Sequence, residues 1–208
     1  MATINDPQID KPWLKSQRPW KRRDGLFRFT IKQFYQLDEL GFFEDRKVEL
    51  IRGVLYEMKT NPGHAVSSEL ALEQLRRIFG PAWHIREMKP LDTGRRSLLG
   101  PDVAVIEGSI RDFTRTHPTT AALVVEISES TLRKDRTIKV HHYAQANLPE
   151  YWIVNLVDRQ VEVHREPGPD PDRKGRFRYG SVTIVPESGR ISPLAAPDSV
   201  VPVSDLLP

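Results

Sequence analysis

The sequence contains no cysteine among its 208 residues, which excludes disulfide cross-links and zinc sites built on thiolates. It also lacks long apolar runs: no stretch approaches the ~20 residues that a membrane-spanning helix requires. The first residues show no apolar core of the kind a signal peptide carries. A cytoplasmic protein with no membrane partner is the expectation. A strong charge of one sign is missing as well. The 31 Lys and Arg against 28 Asp and Glu leave a net charge of +3, far below that of a protein that coats DNA. What remains, 38% hydrophobic and 28% charged residues, is the composition of a globular protein. Its length suits a single domain with a sizeable core.

The distribution of charge says more than its sum. Basic residues gather at Lys15, Arg18, Lys21, Arg22 and Arg23, at Arg95 and Arg96, and at Arg133, Lys134, Arg136 and Lys139. Each group alone reads as solvated surface. Together, flanking the acidic residues described below, they favour a polyanionic partner.

Residues 1–25 mix Pro, Asp and Lys without a period and predict a poorly ordered arm, leaving 26–208 as one domain. Thr30 can cap a helix through Phe34, Leu37 and Leu40, stopped by Gly41. Two alternating runs over residues 47–58 meet at Arg52-Gly53, a hairpin turn signal. A second helix should follow Pro62-Gly63, with Val66, Leu70, Leu75 and Ile78 as its apolar stripe and Gly80-Pro81 as its end. Residues 83–91 suit a strand, and a polar turn near Gly94 leads on to Pro101-Asp102. The apolar runs 103–106 and 121–127 suit central strands covered on both faces. A helix should open at Thr131 or Asp135 and reach about Ala146. Residues 151–154 and 160–164 read as a hairpin turning at Asp158-Arg159. A charged loop over 167–175, a strand over 177–185 and a Pro-punctuated tail complete the chain. No internal repeat is visible. The order predicts a mixed α/β domain around one sheet.

Two carboxylates lie where surface charge is hard to accept. Asp102 opens the apolar run after Pro101, and Glu126 sits between Val125 and Ile127. Buried carboxylates need a cation, a proton or several donors. A pair of hard oxygen ligands on adjacent strands suits Mg²⁺ or Mn²⁺. The bland alternative is a turn cap at Asp102 and an Arg partner for Glu126. The following helix puts Lys139 at the edge of an inward stripe of Val140, Tyr143 and Ala144, one turn after Asp135. From there its charge can reach along the sheet and act on a phosphorane. The alternative is an exposed lysine paired with Asp135.

The ordered set Pro101-Asp102, Val125-Glu126-Ile127-Ser128, Asp135, Lys139 and the run 143–154 resembles the Uma-two (DUF820-like) family of restriction endonucleases, within the PD-(D/E)XK nuclease superfamily. The run 49–58 and His64 match the N-terminal half of that family, and the resemblance extends from about Phe29 to the C-terminus. It implies a restriction-endonuclease-like core, a mixed central β-sheet flanked by helices. It further implies a metal-dependent endonuclease that cuts phosphodiester bonds, with DNA as partner. Asp102 and Glu126 would be its metal ligands, Glu49 an additional acidic residue and Lys139 the catalytic lysine. The superfamily places its lysine two residues after the glutamate, where this chain has Ser128; the resemblance implies a lysine moved to the following helix. Arg52 stands where many relatives carry an acidic or amide residue, and no role follows for it.

Six histidines invite a zinc site, but His141 and His142 point about 100° apart on a helix and no His-x-x-x-His pair occurs. His64, after the hairpin that carries Glu49, is a candidate for site support, as is Asp135. Tyr143 can pack beneath the lysine, and Trp152 reads as core. A non-catalytic nucleic-acid-binding module on the same fold is the competing function. A sugar hydrolase with a carboxylate pair leaves Lys139 without a use. Cutting two strands favours a homodimer.

Overall fold

Strand β6 (Val103–Glu107) and strand β7 (Leu123–Ser128) run antiparallel, with Val103 opposite Val125, so Asp102 and Glu126 come together at one end of the pair. The computed structural model describes residues 26–58, 60–94 and 96–208. The expected arm, with its basic group and Trp13 and Trp20, lies outside the described residues, as does Arg95. The pair β6–β7 forms the centre of a six-stranded sheet of order β10 (Phe177–Pro186), β9 (Gln160–Pro169), β8 (Glu150–Asn155), β7, β6 and β3 (Trp83–Glu87). Strand β8 (Glu150–Asn155) lies parallel to β7, and the other neighbours are antiparallel, which makes the sheet mixed. A parallel pair needs a crossover, supplied here by the helical stretch 132–145.

Alternation along the strands splits the core into two faces. Val103, Val105, Val125 and Ile127 pack against helix α2 (Pro62–Ile78) on one side. Ala104, Ile106 and Val124 pack with Tyr143 and Ala144 on the other. Strand β3 (Trp83–Glu87) closes one edge; β9 (Gln160–Pro169) and β10 (Phe177–Pro186) form a long hairpin at the other.

A second sheet has the order β2 (Val54–Glu57), β1 (Val48–Ile51), β5 (Ser97–Leu99) and β4 (Leu91–Gly94). The turn between β1 and β2 holds Arg52 at φ 50° and Gly53 at φ 79°, the pair of left-handed residues of a tight hairpin. At Gly53 a Cβ would lie 2.7 Å from Phe29 O, so only glycine fits against the backbone that leads into the first helix. Helix α1 (Ile31–Glu39) starts at the expected Thr30, whose hydroxyl caps Gln33 N while the Gln33 side chain returns to Thr30 N.

Four expectations need correction. The buried face of α2 is Ser67, Ser68, Ala71, Leu72 and Leu75, while Val66 is 48% exposed. Small residues there admit the C-terminal turn, and Ser67 Oγ donates to Leu206 O at 2.5 Å. The strand at 83–91 ends at Glu87 because Met88 turns the chain at φ 45°. Beyond it, β4 (Leu91–Gly94) and β5 (Ser97–Leu99) pair in the second sheet. The loop expected from residue 167 begins later, since β9 continues to Pro169. The tail is structured: β11 (Arg190–Ile191) pairs with β12 (Val201–Pro202), and Val203 and Leu206 bury into the core. Among the described residues no helix is long and apolar enough to cross a membrane.

Candidate active site

The stretch 132–145 is not a uniform helix. It begins with α3 (Leu132–Lys134), passes through a π segment (Asp135–Lys139) and continues as α4 (Val140–Gln145). The amide of Val140 reaches back to Asp135 O, the five-residue step of a π turn. The added residue per turn lets Asp135 and Lys139 both face inward, and both are buried. Lys139 is 3% exposed, which overturns the alternative of a surface lysine.

Its ammonium lies 2.8 Å from Glu126 Oε1, 3.5 Å from Glu49 Oε2 and 3.9 Å from Asp135 Oδ1. The hydroxyl of Tyr143 donates to the same Glu126 oxygen at 2.6 Å, so Tyr143 does more than fill the core. Glu49, from β1, receives Lys134 Nζ at 3.0 Å. Asp102 Oδ2 accepts the Ile127 amide at 2.7 Å and lies 3.1 Å from His64 Nε2. Asp135 Oδ2 takes the hydroxyls of Ser128 and Thr131, each at 2.6 Å. All seven residues singled out in the sequence thus gather at one place, drawn from both sheets and two helical stretches. Lys134, counted there only as a basic surface residue, is an eighth. Its signal was its position one residue before Asp135. Arg136, of the same basic group, points elsewhere and pairs with Glu162 at 2.6 Å.

Four carboxylates here face two ammonium groups, a formal excess of two negative charges. The titration behaviour follows. Burial and the charges of Asp102, Asp135 and Glu49 hold the Glu126 carboxyl well above its ordinary range, against the pull of Lys139. Burial pushes the Lys139 ammonium down, but the surrounding carboxylates, Glu126 first, outweigh it and keep it charged. Burial likewise lowers His64, and the bond and charge of Asp102 more than reverse that. By contrast His141 and His142 lie apart from this cluster.

A cavity of about 20 Å³ opens between His64, Asp102, Glu126, Lys134 and Lys139. That is room for one water or one ion. Among the described residues no three His, Cys, Asp or Glu side chains are arranged to grip a metal together. Two carboxylates with main-chain, water and substrate oxygens remain, the set that Mg²⁺ commonly uses. The double negative excess and the hard oxygen donors therefore fit a divalent cation held by Asp102 and Glu126.

The fold has a solved counterpart. A crystal structure described as a putative nuclease belonging to DUF820, from Anabaena variabilis, superposes with a TM-score of 0.65 at 14% identity, covering 86% of this chain and 97% of that one. At that identity the likeness concerns the fold, which is that of a nuclease-like domain. The sequence matches the profile of the Uma2 family, described as "Putative restriction endonuclease", over residues 31–203. The chain belongs to that family. No curated protein matches the sequence.

Proposed function

We propose that the protein is a metal-dependent endonuclease that hydrolyses phosphodiester bonds in DNA. One observation carries the reading: a charged Lys139 2.8 Å from Glu126, beside an ion-sized cavity edged by Asp102. Asp102 and Glu126 would hold Mg²⁺ or Mn²⁺. When bound, such an ion polarises a phosphate oxygen and lowers the pKa of its water. In hydrolysis the water oxygen bonds to phosphorus as its proton passes to bulk water, one P–O ester bond breaks with its leaving oxygen taking a proton from solvent, and negative charge grows on the phosphoryl oxygens. Lys139, kept charged by its carboxylates, cannot serve as a base; its ammonium orients the water and offsets that growing charge. Glu49 fixes both lysines, Tyr143 fixes the Glu126 oxygen, and Ile127 N–H with His64 fixes Asp102.

Purified protein with Mg²⁺ or Mn²⁺ is expected to nick plasmid DNA, and Asp102→Ala, Glu126→Ala and Lys139→Ala to abolish the nicking. Variants that cut as well as the wild type would move the site elsewhere. Two cuts on a duplex suit a homodimer, which sedimentation with and without DNA tests.

A second reading has its own support. Asp102, Glu126 and Glu49 each already meet a protein donor, and no three-residue metal grip exists among the described residues. A nucleic-acid-binding module on the nuclease fold would look the same. Calorimetric titration with Mn²⁺ separates the two, because the module gives no binding heat while retaining DNA.

A further inference from the structure

The helical stretch that turns Asp135, Lys139 and Tyr143 to the acidic cluster shows other residues to a second cavity of about 440 Å³. Ile138 and His141 line it from the helix, Ile51 and Tyr56 from β1 and β2, and Arg176 from the turn before β10. Its charged and titratable walls are Arg28, Arg52, Arg176, His141, His142 and Tyr56, without a carboxylate.

Two observations point to an anionic occupant. The exposed Arg176 forms no ion pair among the described residues, and the nearby Asp170 and Asp172 pair with Arg178 instead. His141 is 4% exposed, and its Nδ1 lies 2.9 Å from the Phe177 amide nitrogen and 3.1 Å from the Phe177 carbonyl oxygen, a donor and an acceptor that suit either ring tautomer. Its Nε2 is buried and has no hydrogen-bond partner. A buried polar nitrogen without a partner is costly, and an anion beside it would select the tautomer with the proton on Nε2, the Phe177 amide then donating to Nδ1. The field in the cavity has the matching sign. Burial first, and then Arg176 and Arg52, hold His141 below the ordinary imidazole range against its Phe177 backbone contact, and burial, His141, Arg52 and Arg176 do the same for His142. Asp170 is the acid that acts on His141 in the opposite direction, and it lies 3.9 Å from Arg178.

The cavity also adjoins the acidic cluster. Tyr56 lines it on one side and lies 5.7 Å under the Lys134 ammonium on the other. Lys134 in turn edges the small cavity beside Asp102 and Glu126. A strand with one phosphate at the acidic cluster would cross Lys134 and bring a neighbouring phosphate to the basic walls. The geometry points to a subsite for a non-scissile backbone phosphate of the polynucleotide, bound by Arg176 and by His141 Nε2–H in the field of Arg28 and Arg52. This inference rests on the nuclease reading, since the phosphate belongs to the strand being cut. The volume admits the phosphate together with its sugar.

The test is fluorescence anisotropy with labelled duplex and single-stranded oligonucleotides in EDTA, across a salt series. Arg176→Gln, at an exposed position that threatens no fold, is expected to weaken binding about tenfold and to flatten the salt dependence by about one charge. His141→Gln is expected to weaken binding without changing the slope, because a neutral donor releases no counterion. If the wild type binds and cuts while both variants bind with its affinity and slope, the subsite is refuted and the nuclease reading stands. A wild type that neither binds nor cuts any polynucleotide removes both. A nucleoside 5′-monophosphate serves as the other arm. If Arg176→Gln loses the monophosphate but keeps the oligonucleotide, the cavity takes a terminal phosphate and the backbone assignment is overturned.

Discussion

Ser128 Oγ donates a 2.6 Å hydrogen bond to Asp135 Oδ2, joining the end of β7 to the first residue of the π segment that carries Lys139. The residue two places after Glu126 thus anchors the helix from which the lysine reaches in. Thr131 Oγ1 donates to the same oxygen at 2.6 Å, so Ser128→Ala leaves Asp135 with one hydroxyl. The expected cost is about 1–2 kcal/mol, the worth of a bond to a charged group with its partner half retained. Ser128→Ala/Thr131→Ala should cost more than the two single changes together. Urea unfolding reads both, and unchanged midpoints would show that the hydroxyls do not hold the segment.

Glu126 sits among more negative charge than Lys139 alone can offset. Glu126→Gln keeps the shape and an oxygen for Tyr143 and Lys139, and removes one charge of the excess. Metal-free protein carrying it is expected to gain about 1 kcal/mol, a rise of roughly 2–4 °C in Tm for a chain of this size. Lys139→Met does the reverse, leaving buried carboxylates without their main counter-charge, at a cost of about 3–5 kcal/mol. Differential scanning calorimetry in EDTA compares them. A lower Tm for Glu126→Gln would mean that the carboxylate stabilises the fold and that no charge conflict exists there.

Asp102 and Glu126 were readable because a carboxylate inside an apolar strand run leaves few explanations. The depth of Lys139 was not, since a π turn shifts the helical face and leaves no mark in hydropathy; a 3.6-residue period puts this lysine only at the stripe's edge. The Tyr143 ring announced core packing, while its hydroxyl partner depends on β7 lying alongside. Leu75 and Ile78 of the expected α2 stripe do meet the core, but the rest of its buried face was missed because Ser67 and Ser68 look solvent-facing until a chain segment from Leu206 satisfies one of them. The strands β4 and β5 escaped notice for their brevity around Gly94 and Arg96, both at positive φ. Contacts between distant segments fixed these features, and local pattern does not carry them.

His64 and the Ile127 amide are the two donors on Asp102 Oδ2, at 3.1 and 2.7 Å. With His64→Ala the amide still holds the carboxylate near its place, but one orienting contact is gone. Mn²⁺ affinity is expected to fall 10–100-fold, the usual penalty for losing an outer-shell partner. DNA binding in EDTA should stay as in the wild type. Titration calorimetry gives the first quantity and anisotropy the second. Undiminished Mn²⁺ affinity would detach His64 from the metal site.

Acid should weaken the fold in two separable stages. Burial pushes the His142 imidazole down to about 3, so it stays neutral in the folded chain while the unfolded one takes up a proton near pH 6.5. The unfolded state then binds more protons, and stability declines as pH falls from about 6.5 toward 3. Glu162 behaves as the depressed carboxylate. Burial would raise it, but His164, the two-pronged Arg136 contact and the Asn155 amide bring it down to about 2. Its contribution is whole above the unfolded value near 4.5 and is lost as pH drops from there toward 2. Since Arg136 is partly exposed, solvent screening limits the gain to about 2 kcal/mol. Urea unfolding across the pH range should therefore show His142→Gln shrinking the decline that begins near 6.5, to which the lowered His84, His117 and His141 also contribute. Glu162→Gln should be less stable than wild type at pH 7 and converge with it below about pH 3. Wild-type stability that stays level from pH 7 to 3 would contradict both assignments.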